Sequence, residues 1–157
     1  MSHLERRLVA ELDSAPLIVL DASGAPEEES LDSAVRAAAS LCVHLGNQGG
    51  CAILMPGERR PVDIGHDLAG WASVHARLAL VEAGPPPPAS SLGPRGGAVI
   101  WVTATVGSGG APRALERMPA GARIVVSPTP LARGRVLFEV AGCTGCLVER
   151  ARRGVAA

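Results

Sequence analysis

The sequence predicts an α/β fold, built on a mainly parallel, doubly wound sheet with one antiparallel edge strand and helices on both faces. Three observations carry this. Residues 17–25 read LIVLDASGA, an apolar run without polar alternation that suits a strand buried on both faces, closing on an aspartate and a small-residue loop. Similar apolar runs recur at residues 51–55, 97–103 and 122–127. Helical stripes of apolar residues separate the strands, the order expected of parallel strands joined by crossover helices.

The elements follow in order. Leu4, Leu8, Val9 and Leu12 recur at helical spacing and predict a short amphipathic lead-in within residues 1–15. After the first strand, Leu31, Ala34, Val35, Ala38, Leu41, Cys42 and Leu45 mark one face of a helix. Ser30 is placed to cap it, and Glu27 to Glu29 lie near its positive end. The second strand, residues 51–55, turns at Pro56-Gly57 into the alternating Pro61-Val62-Asp63-Ile64, a hairpin with an antiparallel edge strand. Leu68, Trp71, Val74, His75, Leu78 and Val81 form a second helical stripe, started by Asp67 and closed by Gly84 and four prolines.

Residues 85–97 read as a surface connection with polyproline character inside one domain. A third strand (97–103), a short helix begun by proline (112–118), a fourth strand (122–127) and two short strands (136–140 and 146–149) complete the chain. The domain is expected over residues 16–150, with a tail over 151–157. Loops after the carboxyl ends of parallel strands form the ligand side of such sheets. Residues 21–26, 65–67 and 103–110 are expected to gather there, and Glu58 is expected on the opposite side.

Composition narrows the function classes. The 157 residues carry 15 basic and 15 acidic side chains, so no net charge draws the chain to nucleic acid or an anionic membrane. Trp71, Trp101 and Phe138 are the only aromatic residues apart from histidine, too few for a base-stacking platform. A chain of this size buries roughly 70% of its unfolded surface and needs no disulfide or metal to fold. No apolar run approaches the ~20 residues of a membrane span, and the charged amino terminus is unlike a signal peptide. The expected location is the cytoplasm.

The layout resembles the von Willebrand factor type A fold, a Rossmann-like architecture whose first strand ends in Asp-x-Ser-x-Ser. There, a threonine and an aspartate from two other loops complete a metal-ion-dependent adhesion site. More narrowly, LIVLDASGAPEEESLDSAVRAAASLCVHLGNQGGCAILM and FEVAGCTGCLV resemble the carboxyl-terminal part of bacterial proteins of the domain of unknown function 58 family. Members of that family carry two membrane-spanning helices upstream, which would make this the cytosolic part of a membrane-anchored protein, and are encoded beside MoxR-type AAA+ ATPases. The resemblance implies a non-catalytic protein-interaction domain that partners such an ATPase or its client.

The metal site that the resemblance implies is degenerate. Asp21 and Ser23 match the first aspartate and serine, but Ala25 stands at the second serine and no threonine occupies Gly65-His66-Asp67, where only Asp67 could substitute. Val102-Thr103-Ala104-Thr105 lacks the second aspartate. Mg2+ needs about six oxygens in near-octahedral array, so no cofactor is expected and Asp21 and Ser23 are vestigial ligands. The expected interaction surface is Asp21, Ser23, His66, Asp67, Thr105 and Ser108.

Two other motifs have ordinary readings beside the functional ones. Cys143-Thr144-Gly145-Cys146 has the spacing of half a zinc site or a redox pair, and also that of structural thiols between two strands. Gly107-Ser108-Gly109-Gly110 follows a strand and precedes a helix, where backbone amides can cradle a phosphate. It lacks the lysine of a Walker loop. A small nucleotide- or phosphate-binding protein is therefore the alternative function. Ser23 has no nucleophile elbow or linked histidine around it, and no enzymatic activity is expected.

Overall fold

The computed structural model describes residues 15–24, 27–87, 97–105, 111–117, 121–132 and 134–148. The expected lead-in helix, the carboxyl-terminal tail, Ala25 and the Gly107 to Gly110 loop lie outside these residues. Among them the chain forms β1 (Leu17–Asp21), α1 (Glu28–Gly46), β2 (Cys51–Leu54), β3 (Val62–Ile64), α2 (Trp71–Leu78), β4 (Val99–Thr103), α3 (Arg113–Arg117), β5 (Arg123–Ser127), β6 (Gly134–Val140) and β7 (Cys143–Val148). The strands make one seven-stranded sheet in the order β3-β2-β1-β4-β5-β7-β6.

The fold is α/β, and its sheet is mixed. β2, β1, β4 and β5 are parallel neighbours, and β3 is the expected antiparallel edge strand on β2. At the other end β7 is antiparallel to both β5 and β6, so the expectation of a mainly parallel sheet needs correction. The cause is a two-residue turn. Ala141 and Gly142 both have positive φ, 48° and 80°, the backbone that closes a tight hairpin with the right-handed twist of its strands. Strands joined this way are antiparallel, and the second of them pairs with β5.

β1, β4 and β5 are buried along their whole length, which is why their sequences do not alternate. One face, with Ile18, Leu20, Ile53, Ile100, Val102, Ile124 and Val126, packs on Ala34, Ala38, Leu41 and Leu45 of α1 and on Val74 and Leu78 of α2. The other face, with Leu17, Val19, Leu54, Val99, Trp101 and Val125, holds Leu115 of α3. Helices thus lie on both faces.

Two helix starts differ from the sequence expectation. α1 begins at Glu28, with Glu27 extended (φ −143°, ψ 154°) at its cap. Ser30 lies inside the first turn, its amide bonded to the Glu27 carbonyl at 3.2 Å, and Glu28 and Glu29 there complement the helix dipole. α2 begins at Trp71 rather than at Asp67, because Leu68 and Gly70 have φ of 58° and 88°, which no α-helix accommodates. Leu68 instead turns into the core beside Ile64 and Gly46.

Candidate functional site

β1 and β4 lie side by side in register, Val19 opposite Trp101 and Asp21 opposite Thr103. Side chains two apart share a face of a strand, so Asp21, Trp101 and Thr103 project to the α3 side of the sheet at its carboxyl edge. Asp21 is 7% exposed and Thr103 8%. A buried carboxylate must find donors, and this one has three. The indole Nε1–H of Trp101 donates to Oδ2 at 3.2 Å. The Ser23 amide and hydroxyl both donate to Oδ1, at 2.9 and 2.6 Å.

The same knot holds the loop after β4. The Thr105 hydroxyl donates to the Ser23 carbonyl at 3.0 Å, and the Thr105 amide donates to Thr103 Oγ1 at 3.1 Å. Asp21, Ser23 and Thr105 therefore meet as expected. Trp101 is the member that sequence reasoning missed. The available signal was a tryptophan in a chain nearly without aromatics, one pleat below the residue facing Asp21.

His66 and Asp67 do not belong to this surface, which corrects the expectation that residues 65–67 join the Asp21 loop. β3 runs antiparallel, so its last residue, Ile64, pairs with Cys51, the first of β2. The following loop sits at the amino edge, where a Cβ on Gly50 would lie 2.9 Å from the Ile64 carbonyl and 3.6 Å from the His66 amide nitrogen. His66 Nε2 and Asp67 Oδ2 are 3.2 Å apart with side chains 78% and 86% exposed, a pair worth little in water. The reverse holds for Glu58. It lies in the β2–β3 turn at the carboxyl edge, paired with Arg77 near the end of α2. Ser108 is outside the described residues.

A cation of the kind the adhesion-site resemblance implies does not fit this donor set. Trp101 Nε1 can only donate, and its positive N–H edge is aimed at Asp21 where a metal would bind. Ser23 spends its proton on the other carboxylate oxygen. Among the described residues no three His, Cys, Asp or Glu side chains gather as ligands. Millimolar Mg2+ or Mn2+ is expected to leave the melting temperature unchanged. A cation-dependent rise that disappears in Asp21→Ala would overturn this, since a ligand bound to the native state stabilises it by mass action.

The cysteines are buried. The Cys143 to Cys146 segment lies inside β7 rather than between two strands. Cys143 faces α1, its thiol 3.9 Å from the Ser33 carbonyl, and the two-residue period sends Cys146 to the other face. The two thiols cannot share a metal or close a disulfide. Cys42 and Cys51 do meet, on α1 and β2, with Cys51 Sγ 3.9 Å from the Cys42 carbonyl. Their mutual hydrogen bond, reinforced by burial, raises the Cys42 thiol pKa, and the same bond lowers that of Cys51.

Burial also raises the Cys143 thiol pKa. The folded chain thus keeps this proton at pH values where the unfolded chain has released it, so stability is full below the ordinary thiol pKa of about 8.5 and falls as pH rises above it. The chain has no Tyr and all fifteen of its Lys and Arg are Arg, which leaves the thiols as the side chains that titrate between about pH 8.5 and 12. Urea unfolding across that range is expected to show a decline that is shallower in Cys143→Ala. An identical slope in the variant would remove Cys143 as its source.

No family model, curated protein or solved structure matches this chain.

Proposed function

We propose that the chain is a non-catalytic protein-interaction domain of von Willebrand factor type A-like architecture, related to the carboxyl-terminal part of the domain of unknown function 58 family, that engages its partner through the carboxyl edge of the sheet. The observation that carries this reading is the hydrogen-bonded anchoring of Asp21. Its two oxygens accept three protein hydrogen bonds, and with Thr105 they tie the β1–α1 and β4–α3 loops into one surface. A carboxylate committed in this way positions backbone, which is a structural role for the residue that closes β1. The family resemblance supplies the partner class, a MoxR-type AAA+ ATPase or its client.

The test compares two charge insertions on exposed positions at opposite ends of the sheet. Thr105→Arg at the carboxyl edge is expected to abolish binding to a purified MoxR-type ATPase, while Asp67→Arg at the amino edge leaves it intact. Loss of binding only in Asp67→Arg would place the working surface at the other edge. A rise in melting temperature with ATP or GTP would favour the phosphate-binding alternative at the Gly107 to Gly110 loop instead.

A further inference from the structure

We infer that Pro85 to Pro87 form a polyproline II ligand presented beside the carboxyl edge for a partner with an aromatic-lined, basic-flanked groove. The inference concerns a different segment from the Asp21 knot and stands whether or not that edge binds an ATPase. α2 ends at Leu78, two turn bonds bring Leu80 and Val81 around, and Val81 packs on the core. The Gly84 amide then bonds to the Ala22 carbonyl at 3.4 Å, tethering the start of the run next to the Asp21 loop.

The sequence continues with four consecutive prolines, of which the first three are described. Each ring fixes φ near −65° and pushes the preceding residue out of the helical region, so the backbone has one state available, the left-handed helix of three residues per turn. Proline has no amide proton, and the described residues make no backbone bond to the carbonyls of Pro85 to Pro87. Pro85 and Pro86 are exposed. Upstream, Leu80 is 79% exposed, the most exposed large hydrophobic residue described.

A rigid spacer would also use prolines, but a spacer gains nothing from exposed rings bordered by an exposed leucine. Those features match the recognition of preformed polyproline helices, in which proline rings slot between aromatic side chains whose donors meet the free carbonyls. Among the described residues the aromatic side chains are placed elsewhere: Trp71 opens α2, the end of the helix away from the prolines, packed on the core and stacked on His75. Trp101 is buried on the other side of β4 and Phe138 lies on the distal hairpin. Glu82, exposed between Leu80 and the prolines, adds a negative charge, which selects a groove flanked by arginine or lysine.

The experiment titrates the whole chain into two isotope-labelled probes, a WW domain and a Src-homology-3 domain, chosen with basic residues beside their aromatic grooves. Saturable shifts confined to the groove are expected for at least one probe. Binding should weaken about tenfold or more in the triple variant Pro85→Ala, Pro86→Ala, Pro87→Ala. Glu82→Arg, which keeps every proline, should also weaken binding, so the result does not depend on the triple variant folding well. Thr105→Arg should bind the probes like the parent chain, which separates failure here from failure of the carboxyl-edge reading. Absence of saturable binding to both probes, or binding by the Glu82 and proline variants equal to that of the parent chain, would reduce the segment to a spacer.

Discussion

Asp21→Ala is expected to lower the stability of the domain by about 3 kcal/mol in urea unfolding. The substitution removes the acceptor of three hydrogen bonds at once. Ser23 is near enough to solvent to rehydrate, but the Trp101 indole is 1% exposed. A buried N–H without a partner costs about 1 to 3 kcal/mol beyond the lost bond. Trp101→Phe keeps most of the packing and removes only that donor, so it should cost less, about 1.5 to 3 kcal/mol for a bond to a charged group.

The double variant discriminates the mechanism. With no indole N–H left to orphan, Asp21→Ala in the Trp101→Phe background should cost clearly less than in the parent chain, a coupling well above the ~0.5 kcal/mol seen for independent sites. Additive effects would mean that Asp21 acts through Ser23 alone. The knot also joins the loops proposed to meet a partner, so Trp101→Phe should weaken ATPase capture despite being buried.

Gly145→Ala is the second large effect expected, a loss of about 1 to 3 kcal/mol from overpacking. β6 and β7 pair with Phe138 opposite Gly145, and the ring lies directly over the glycine. A Cβ there would come within 2.5 Å of the ring carbon Cζ and 2.7 Å of both Cε atoms. The register shift between Val136 and Phe138 brings Leu137 and Phe138 against the same core cluster, so the ring cannot lift away without giving up packing. Phe138→Leu should recover part of the loss when combined with Gly145→Ala, although alone it removes apolar contact. If the two changes simply add, the ring is not what excludes the methyl group.

The sequence by itself determined the buried strands β1, β2, β4 and β5, the β2–β3 hairpin and the faces of α1 and α2, because uninterrupted apolar runs and helical stripes report burial directly. It also marked Asp21 and Ser23, since a polar residue closing a buried strand must be satisfied locally. What it did not determine was how distant segments are placed. That β6 and β7 run antiparallel follows from a two-residue turn with positive φ at an alanine, while β7 rather than β6 lies beside β5 through the pairing of the sheet as a whole. The amino-edge position of His66 and Asp67, and the carboxyl-edge position of Glu58, follow from the direction of a three-residue edge strand. Trp101 joined Asp21 through the register of β1 on β4, eighty residues apart in the chain. Cys143 and Cys146 were separated by the two-residue period of a strand that their motif did not announce. In each case the local chemistry was legible, while strand order, direction and register were fixed only when the core closed around them.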